Sequence, residues 1–128
     1  MSRLQSIRVL LLNDDPTTRT RFAERLQSNG AWVVSAANVQ KALVCLVKEH
    51  PAVVISDLYK PAREGVTLVR EVRAMDRLSG AKTCALGIAN TRQAEDRAGL
   101  LRAGFDDCLI TPVDPDALCE KIAALVMH

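Results

Sequence analysis

The sequence predicts an α/β domain built on a doubly wound, five-stranded parallel sheet, and three observations carry that prediction. Short apolar runs rich in β-branched residues alternate with longer segments of helical periodicity. Most of those runs are apolar without alternation, as strands covered on both faces must be. Five such units follow one another in 128 residues, the length of one ordinary domain.

The strand candidates are Arg8 to Leu12, Trp32 to Ala36, Ala52 to Ser56, Thr83 to Ile88 and Asp107 to Ile110. After the first, Thr17 to Asn29 places Phe22 and Leu26 four residues apart, one apolar side of a helix, with Gly30 as its stop. Asn38 to Glu49 carries Ala42, Leu43, Leu46 and Val47 before Pro51. A third helix is expected over Val66 to Met75 through Val69 and Val72, and a fourth over Gln93 to Ala103 before Gly104. In the fifth, Asp114 suits the cap, Pro115 the first helical position, and Leu118, Ile122 and Leu125 form one stripe. Residues 1–128 read as a single domain without repeat or linker.

Composition narrows the function. Hydrophobic residues are 48% and charged residues 25%, close to soluble globular averages, which argues against wholesale disorder. Seventeen Lys and Arg against fifteen Asp and Glu leave +2, scattered along the chain, and aromatics are 3%. Neither a basic stripe nor a stacking platform for bases is present, so direct nucleic-acid binding is not expected. The longest apolar runs fall far short of the roughly 20 residues of a membrane span, and Met1 to Ser6 lacks an apolar signal core. A cytoplasmic protein is expected. Cys45, Cys84, Cys108 and Cys119 contain no CxxC pair and sit among apolar neighbours, the setting of reduced structural thiols rather than of a zinc site.

Ligands of such sheets bind beyond the carboxyl ends of the strands. Strand one runs into Asn13, Asp14 and Asp15, strand three into Asp57, strand four into Ala89 and Asn90, strand five into Thr111 and Pro112. Asp14 and Asp57, on neighbouring strand ends, would repel unless a cation lay between them, and oxygen-only ligation suits Mg²⁺. Acidic residues after strands are equally ordinary as helix caps and turn formers, so the pair alone does not decide.

The order of LLLNDDP at 10–16, SDLYKPAREG at 56–65 and AGFDDCLITP at 103–112 resembles the receiver domains of bacterial two-component response regulators, a CheY-like, flavodoxin-like (βα)5 family. The resemblance spans roughly Ile7 to Val126. It implies a protein that is not an enzyme but accepts a phosphoryl group from a histidine kinase or histidine phosphotransfer protein, here on Asp57. It also implies Mg²⁺ at Asn13, Asp14, Asp57 and the backbone carbonyl of Tyr59, and a post-acceptor turn carrying Pro61 and Gly65. A protein partner or a second copy would dock on Gln93 to Val126.

Four positions depart from the family pattern. The first acidic position is Asn13, which keeps an amide oxygen and loses a charge, so Mg²⁺ should bind weakly. The hydroxyl expected after strand four falls on Ile88 or Ala89, neither of which has one. The phosphate-gripping lysine is Thr111, and the switch aromatic is Cys108. A charge-assisted hydrogen bond of the lysine kind contributes roughly 1.5–3 kcal/mol. Two readings stay open: a phosphoaccepting receiver with altered output, and a pseudo-receiver that binds protein partners without phosphorylation. An aspartyl-phosphate hydrolase is disfavoured, since Asp57 is followed by Leu58 and Tyr59 rather than by a second carboxylate, and His50 and His128 are poorly placed as bases. A flavin binder is excluded by the acidic loop after strand one, which would repel phosphate.

Overall fold

The computed structural model describes residues 3–58 and 62–126. Tyr59 and Pro61, to which the resemblance assigns a metal-ligating carbonyl and a turn, lie outside the described residues. Five strands, β1 (Arg8–Leu12), β2 (Trp32–Ala36), β3 (Val53–Asp57), β4 (Cys84–Ala89) and β5 (Asp107–Ile110), form one parallel sheet in the order β2-β1-β3-β4-β5. The helices are α1 (Pro16–Ser28), α2 (Val39–Glu49), α3 (Ala62–Ser79), α4 (Thr91–Ala94), α5 (Arg97–Ala103) and α6 (Pro115–Val126). The expected fold class is the observed one.

Alternation along each strand divides the core in two. Val9, Leu11, Val53, Ile55, Leu86 and Ile88 point to one face, where Phe22 and Leu26 of α1 and Leu118, Cys119 and Ile122 of α6 cover them. Leu10, Leu12 and Val54 point to the other, against Ala42 and Leu46 of α2 and Leu68 and Val72 of α3. Leu58, Val69, Ala85, Ala89 and Phe105 continue that second layer towards α5. Burial of this kind stabilises by roughly 1.5–3 kcal/mol per large aliphatic side chain, and it explains why β1 and β3 read as unbroken apolar runs.

Caps fix where the helices begin. Asp15 accepts from the Thr18 backbone N–H at 3.1 Å with Pro16 in the first turn, and Asn38 accepts from the Lys41 N–H at 2.9 Å. Three expectations need correction. The segment read as one helix over Gln93 to Ala103 is two, because it holds two cap signals: Asn90 and Gln93 form a reciprocal capping box, and Asp96 then accepts from the Gly99 N–H at 3.0 Å and starts α5. Gly65, read as a turn residue, lies inside α3. A Cβ there would come within 2.9 Å of the Asp57 carbonyl oxygen, so glycine permits the close approach of α3 to the end of β3. Helix α3 also begins earlier and ends later than Val66 to Met75. Of the four cysteines, Cys119 is buried and the others half-buried, all as free thiols. Burial, with Asp106 nearby, pushes the Cys84 thiol up to about 11.

Two polar hubs tie helices to strand ends. Arg73 of α3 donates through Nε to the Gly104 carbonyl at 2.8 Å, through Nη1 to the Thr83 carbonyl at 2.6 Å, and through Nη2 to Asp106 at 3.0 Å. Asp107 opens β5 with a carboxylate 17% exposed, 2.9 Å from Arg97 of α5 and 3.0 Å from Lys121 of α6. Burial alone would raise its pKa, but hydrogen bonds from Lys121, the Cys108 N–H and Arg97 outweigh it and hold it below the ordinary carboxylate value. A carboxylate depressed in the folded state contributes stability above its unfolded pKa, near 4, and loses it as pH falls through the folded value. Asp107→Asn is therefore expected to cost about 1–3 kcal/mol in urea unfolding at pH 7. The gap from the unsubstituted protein should narrow below about pH 4; a gap that widened on acidification would contradict this account.

Candidate functional site

All five strands run the same way, so their carboxyl ends meet at one edge of the sheet, and a cleft of about 420 Å³ opens there. Asn13, Asp14 and Asp15 from the end of β1 line it, with Asp57 from β3, Ile88 from β4, Thr111, Pro112 and Val113 after β5, and Thr18, Arg21 and Phe22 from α1. The two strand-end carboxylates singled out by sequence thus share one cavity.

The three consecutive polar residues after β1 have different positions and partners. Asn13 is buried, 3% exposed, and its Oδ1 accepts from the Asp15 N–H at 2.8 Å. Its carbonyl accepts from Arg19 Nη1 at 2.8 Å, which pins the loop against α1. Asp15 spends its carboxylate on the helix, taking Thr18 Oγ1 at 2.5 Å and the Thr18 N–H. The Thr18 hydroxyl and backbone bonds hold its pKa below the ordinary value. Asp14 is exposed and makes no hydrogen bond or ion pair with another described residue. Asp57, the last residue of β3, is half-buried and in register with Ile88. Asp14 and Asp57 thus put two carboxylates into the cleft from the ends of neighbouring strands. Their hard oxygen donors, without thiol or imidazole among the lining residues, suit Mg²⁺.

Chain folding also settles which residue of β4 faces the cleft. Ile88 does, 2% exposed and packed in the α1 and α6 layer, whereas Ala89 points to the opposite layer with Leu58 and Phe105. The Ile88 carbonyl accepts from the Leu58 N–H at 2.8 Å, and the Thr111 N–H donates to the Ala89 carbonyl at 2.8 Å. Thr111 is exposed on the cleft wall, and the Thr111–Pro112 peptide is cis. Cys108 is half-buried on β5 beside Gly87 and is not among the cleft residues.

A sequence model described as the response regulator receiver domain matches residues 9–123. The chain belongs to that family. The receiver is 36% identical over 122 residues to an uncharacterized 14.6 kDa protein of Leptolyngbya boryana, covering 95% of this chain and 92% of that one. It is 30% identical over 121 residues to the transcriptional regulatory protein PrrA of Mycobacterium tuberculosis, covering 94% of this chain and 50% of PrrA. Among solved structures, the chemotaxis response regulator CheY4 of Vibrio cholerae superposes with a TM-score of 0.83 at 25% identity, covering 94% and 99% of the two chains. The receiver therefore spans about half the length of PrrA. Among its described residues no helix is long and apolar enough to cross a membrane.

Sequence reasoning missed two members of the site. Arg21 is the one Lys or Arg among the described lining residues, and its signal was its spacing: it lies one turn before Arg25 on the amphipathic α1. Gln93 was read as the start of a helix and of the docking face, not as a contact to β3. Its Oε1 accepts from the Asn90 N–H at 2.9 Å, and its Nε2 donates to the Leu58 carbonyl beside Asp57, so the β4–α4 junction is tied to the end of β3. Asp57 stands at the rim and Ile88 in the core, which separates their substitutions. Ile88→Ala is expected to cost about 2–4 kcal/mol in denaturant unfolding, and Asp57→Asn below about 1 kcal/mol. Equal costs would show that one of the two is misplaced.

Proposed function

We propose that this receiver accepts a phosphoryl group on Asp57 from the phosphohistidine of a histidine kinase or phosphotransfer protein, and transmits it weakly. The observation that carries the proposal is the shared cleft at the sheet's carboxyl edge, where Asp57 and Asp14 meet. In the transfer, a carboxylate oxygen of Asp57 forms the new P–O bond as the P–N bond to histidine breaks, and the imidazole nitrogen leaves with the electron pair. Mg²⁺ bound by Asp14 and Asp57 would neutralise phosphoryl oxygens there. Asn13 contributes less to such a site than a carboxylate would, being neutral and already engaged with the Asp15 N–H. Arg21 brings a positive charge to the cleft wall from α1, at a place the family pattern does not assign, while Thr111 offers only a neutral hydroxyl.

Transmission is the weaker half. A phosphoryl group shifts a conformational equilibrium only through contacts that differ between the two states. Ile88 has no hydroxyl to follow the phosphate, Thr111 has no charge to grip it, and Cys108 stands outside the cleft. A second reading, a pseudo-receiver that docks protein partners without phosphorylation through Gln93 to Val126, is favoured by the apolar Ile88 in the cleft wall.

With acetyl phosphate and Mg²⁺, intact mass should show one phosphoryl adduct that Asp57→Asn abolishes and Arg21→Ala slows. No adduct under any condition would leave the pseudo-receiver. A separate titration addresses the metal: Asn13→Asp should tighten Mg²⁺ binding by at least about tenfold, because a full charge replaces an amide close to the ion. Unchanged affinity would remove Asn13 from the site.

A further inference from the structure

A second recess lies away from the cleft, between α3 and α5. It is about 590 Å³ in volume and is lined by Arg70, Arg73, Arg77, Gly99, Arg102, Ala103 and Gly104. Four of those seven residues are arginines and none is acidic, in a chain whose overall charge is only +2. Arg73 is committed to Gly104, Thr83, Asp76 and Asp106. Arg70, Arg77 and Arg102 are exposed and form no ion pair with another described residue.

Local structural roles account for part of this. Arg77 and Arg102 stand in the last turns of α3 and α5, where a cation complements the helix dipole for a few tenths of a kcal/mol. Arg70 lies mid-helix and gains nothing of that kind. Nor does the dipole explain why three uncompensated guanidinium groups border one recess. On its α5 side the recess is lined by Gly99, Ala103 and Gly104, and both glycines have local causes: the Asp96 carboxylate lies against Gly99, and Gly104 closes α5 at φ 118° against Arg73. Its floor is rigid, because Arg73 clamps α3 to the residue that closes α5.

We infer that this recess is a docking site for an acidic protein segment, one that presents carboxylates to Arg70, Arg77 and Arg102. Arg70 and Arg77 are seven residues apart on one helix, about 10.5 Å along its axis. Glu or Asp residues spaced two turns apart on a partner helix, or three residues apart on an extended strand, match that interval. Guanidinium groups suit such a ligand because their fork pairs with carboxylates bidentately. A single-stranded nucleic acid fits less well, since no lining residue is aromatic and bases would have nothing to stack on. The inference is independent of phosphorylation at Asp57.

The test is a titration of the full chain, followed by backbone amide spectra, with a ten-residue oligoglutamate peptide, with an oligothymidylate of similar charge and with inorganic phosphate as separate probes. The expected result is that oligoglutamate shifts amides within 70–77 and 99–104. Its affinity should fall at least about tenfold in Arg70→Gln/Arg77→Gln/Arg102→Gln, at an unchanged melting temperature, and should weaken with added salt. If the triple variant is unstable, the single variant Arg70→Gln supplies the comparison, because its position has no dipole role; a loss of at least about threefold is expected there. Shifts spread over the whole surface, an affinity indifferent to these substitutions, or tighter binding of oligothymidylate or phosphate at the same amides would each overturn the inference.

Discussion

A parallel sheet covered on both faces leaves little room for polar chemistry along its strands, Ser56 of β3 being the one fully buried polar side chain among the described strand residues, and this constraint organises the molecule. Each interior strand must be apolar on both sides, so residues such as Val9 to Leu12 and Val53 to Ile55 serve only the core. Polar groups with a chemical task are pushed to the strand ends. Because all five strands run one way, their carboxyl ends converge, and strand ends and loops distant in sequence deliver Asp14, Asp57, Ile88 and Thr111 to one cleft. The opposite ends of β4 and β5 hold hubs of another kind, where Arg73 and Asp107 bind helices to the sheet.

How much of this was legible in the sequence follows from the same constraint. Unbroken apolar runs and helical stripes are one-dimensional signals, so the strands appeared within a residue of their observed positions and α1, α2 and α6 within a residue or two. The break between α4 and α5 lay in cap chemistry instead. Asn90 with Gln93, and Asp96 with Gly99, are start signals three residues apart, and they outweigh the stripe that suggested one helix. Gly65 misled for a different reason: glycine is most often a turn residue, but here it answers to a carbonyl from another element, which no local pattern encodes.

At the site, residue order was enough to place Asp14 and Asp57 together but not to assign their neighbours. Whether Ile88 or Ala89 faces the cleft depends on pleat parity at the end of β4, a property of register that the structure decides for Ile88. The separate tasks of Asn13, Asp14 and Asp15 could not be read from three adjacent polar letters. Asp15 caps α1, Asn13 braces the loop, and Asp14 lines the cleft with its side chain exposed. Arg21 and Gln93 reach the site from helices whose sequence shows only ordinary amphipathic and capping patterns.

The proposed account thus joins a phosphoacceptor cleft to a poor transmission line. Gln93 fastens the β4–α4 junction to the Leu58 carbonyl, and Ile88 fills the place where a mobile hydroxyl would respond. Amide spectra recorded with and without beryllofluoride and Mg²⁺ test that combination most directly. The account predicts shifts at 13–15, 57–58, 88–90 and the cleft-lining 111–113 that fade before Pro115 to Val126. Large shifts through Pro115 to Val126 would contradict it, showing that phosphate moves the distal face without the hydroxyl, the lysine or the aromatic residue.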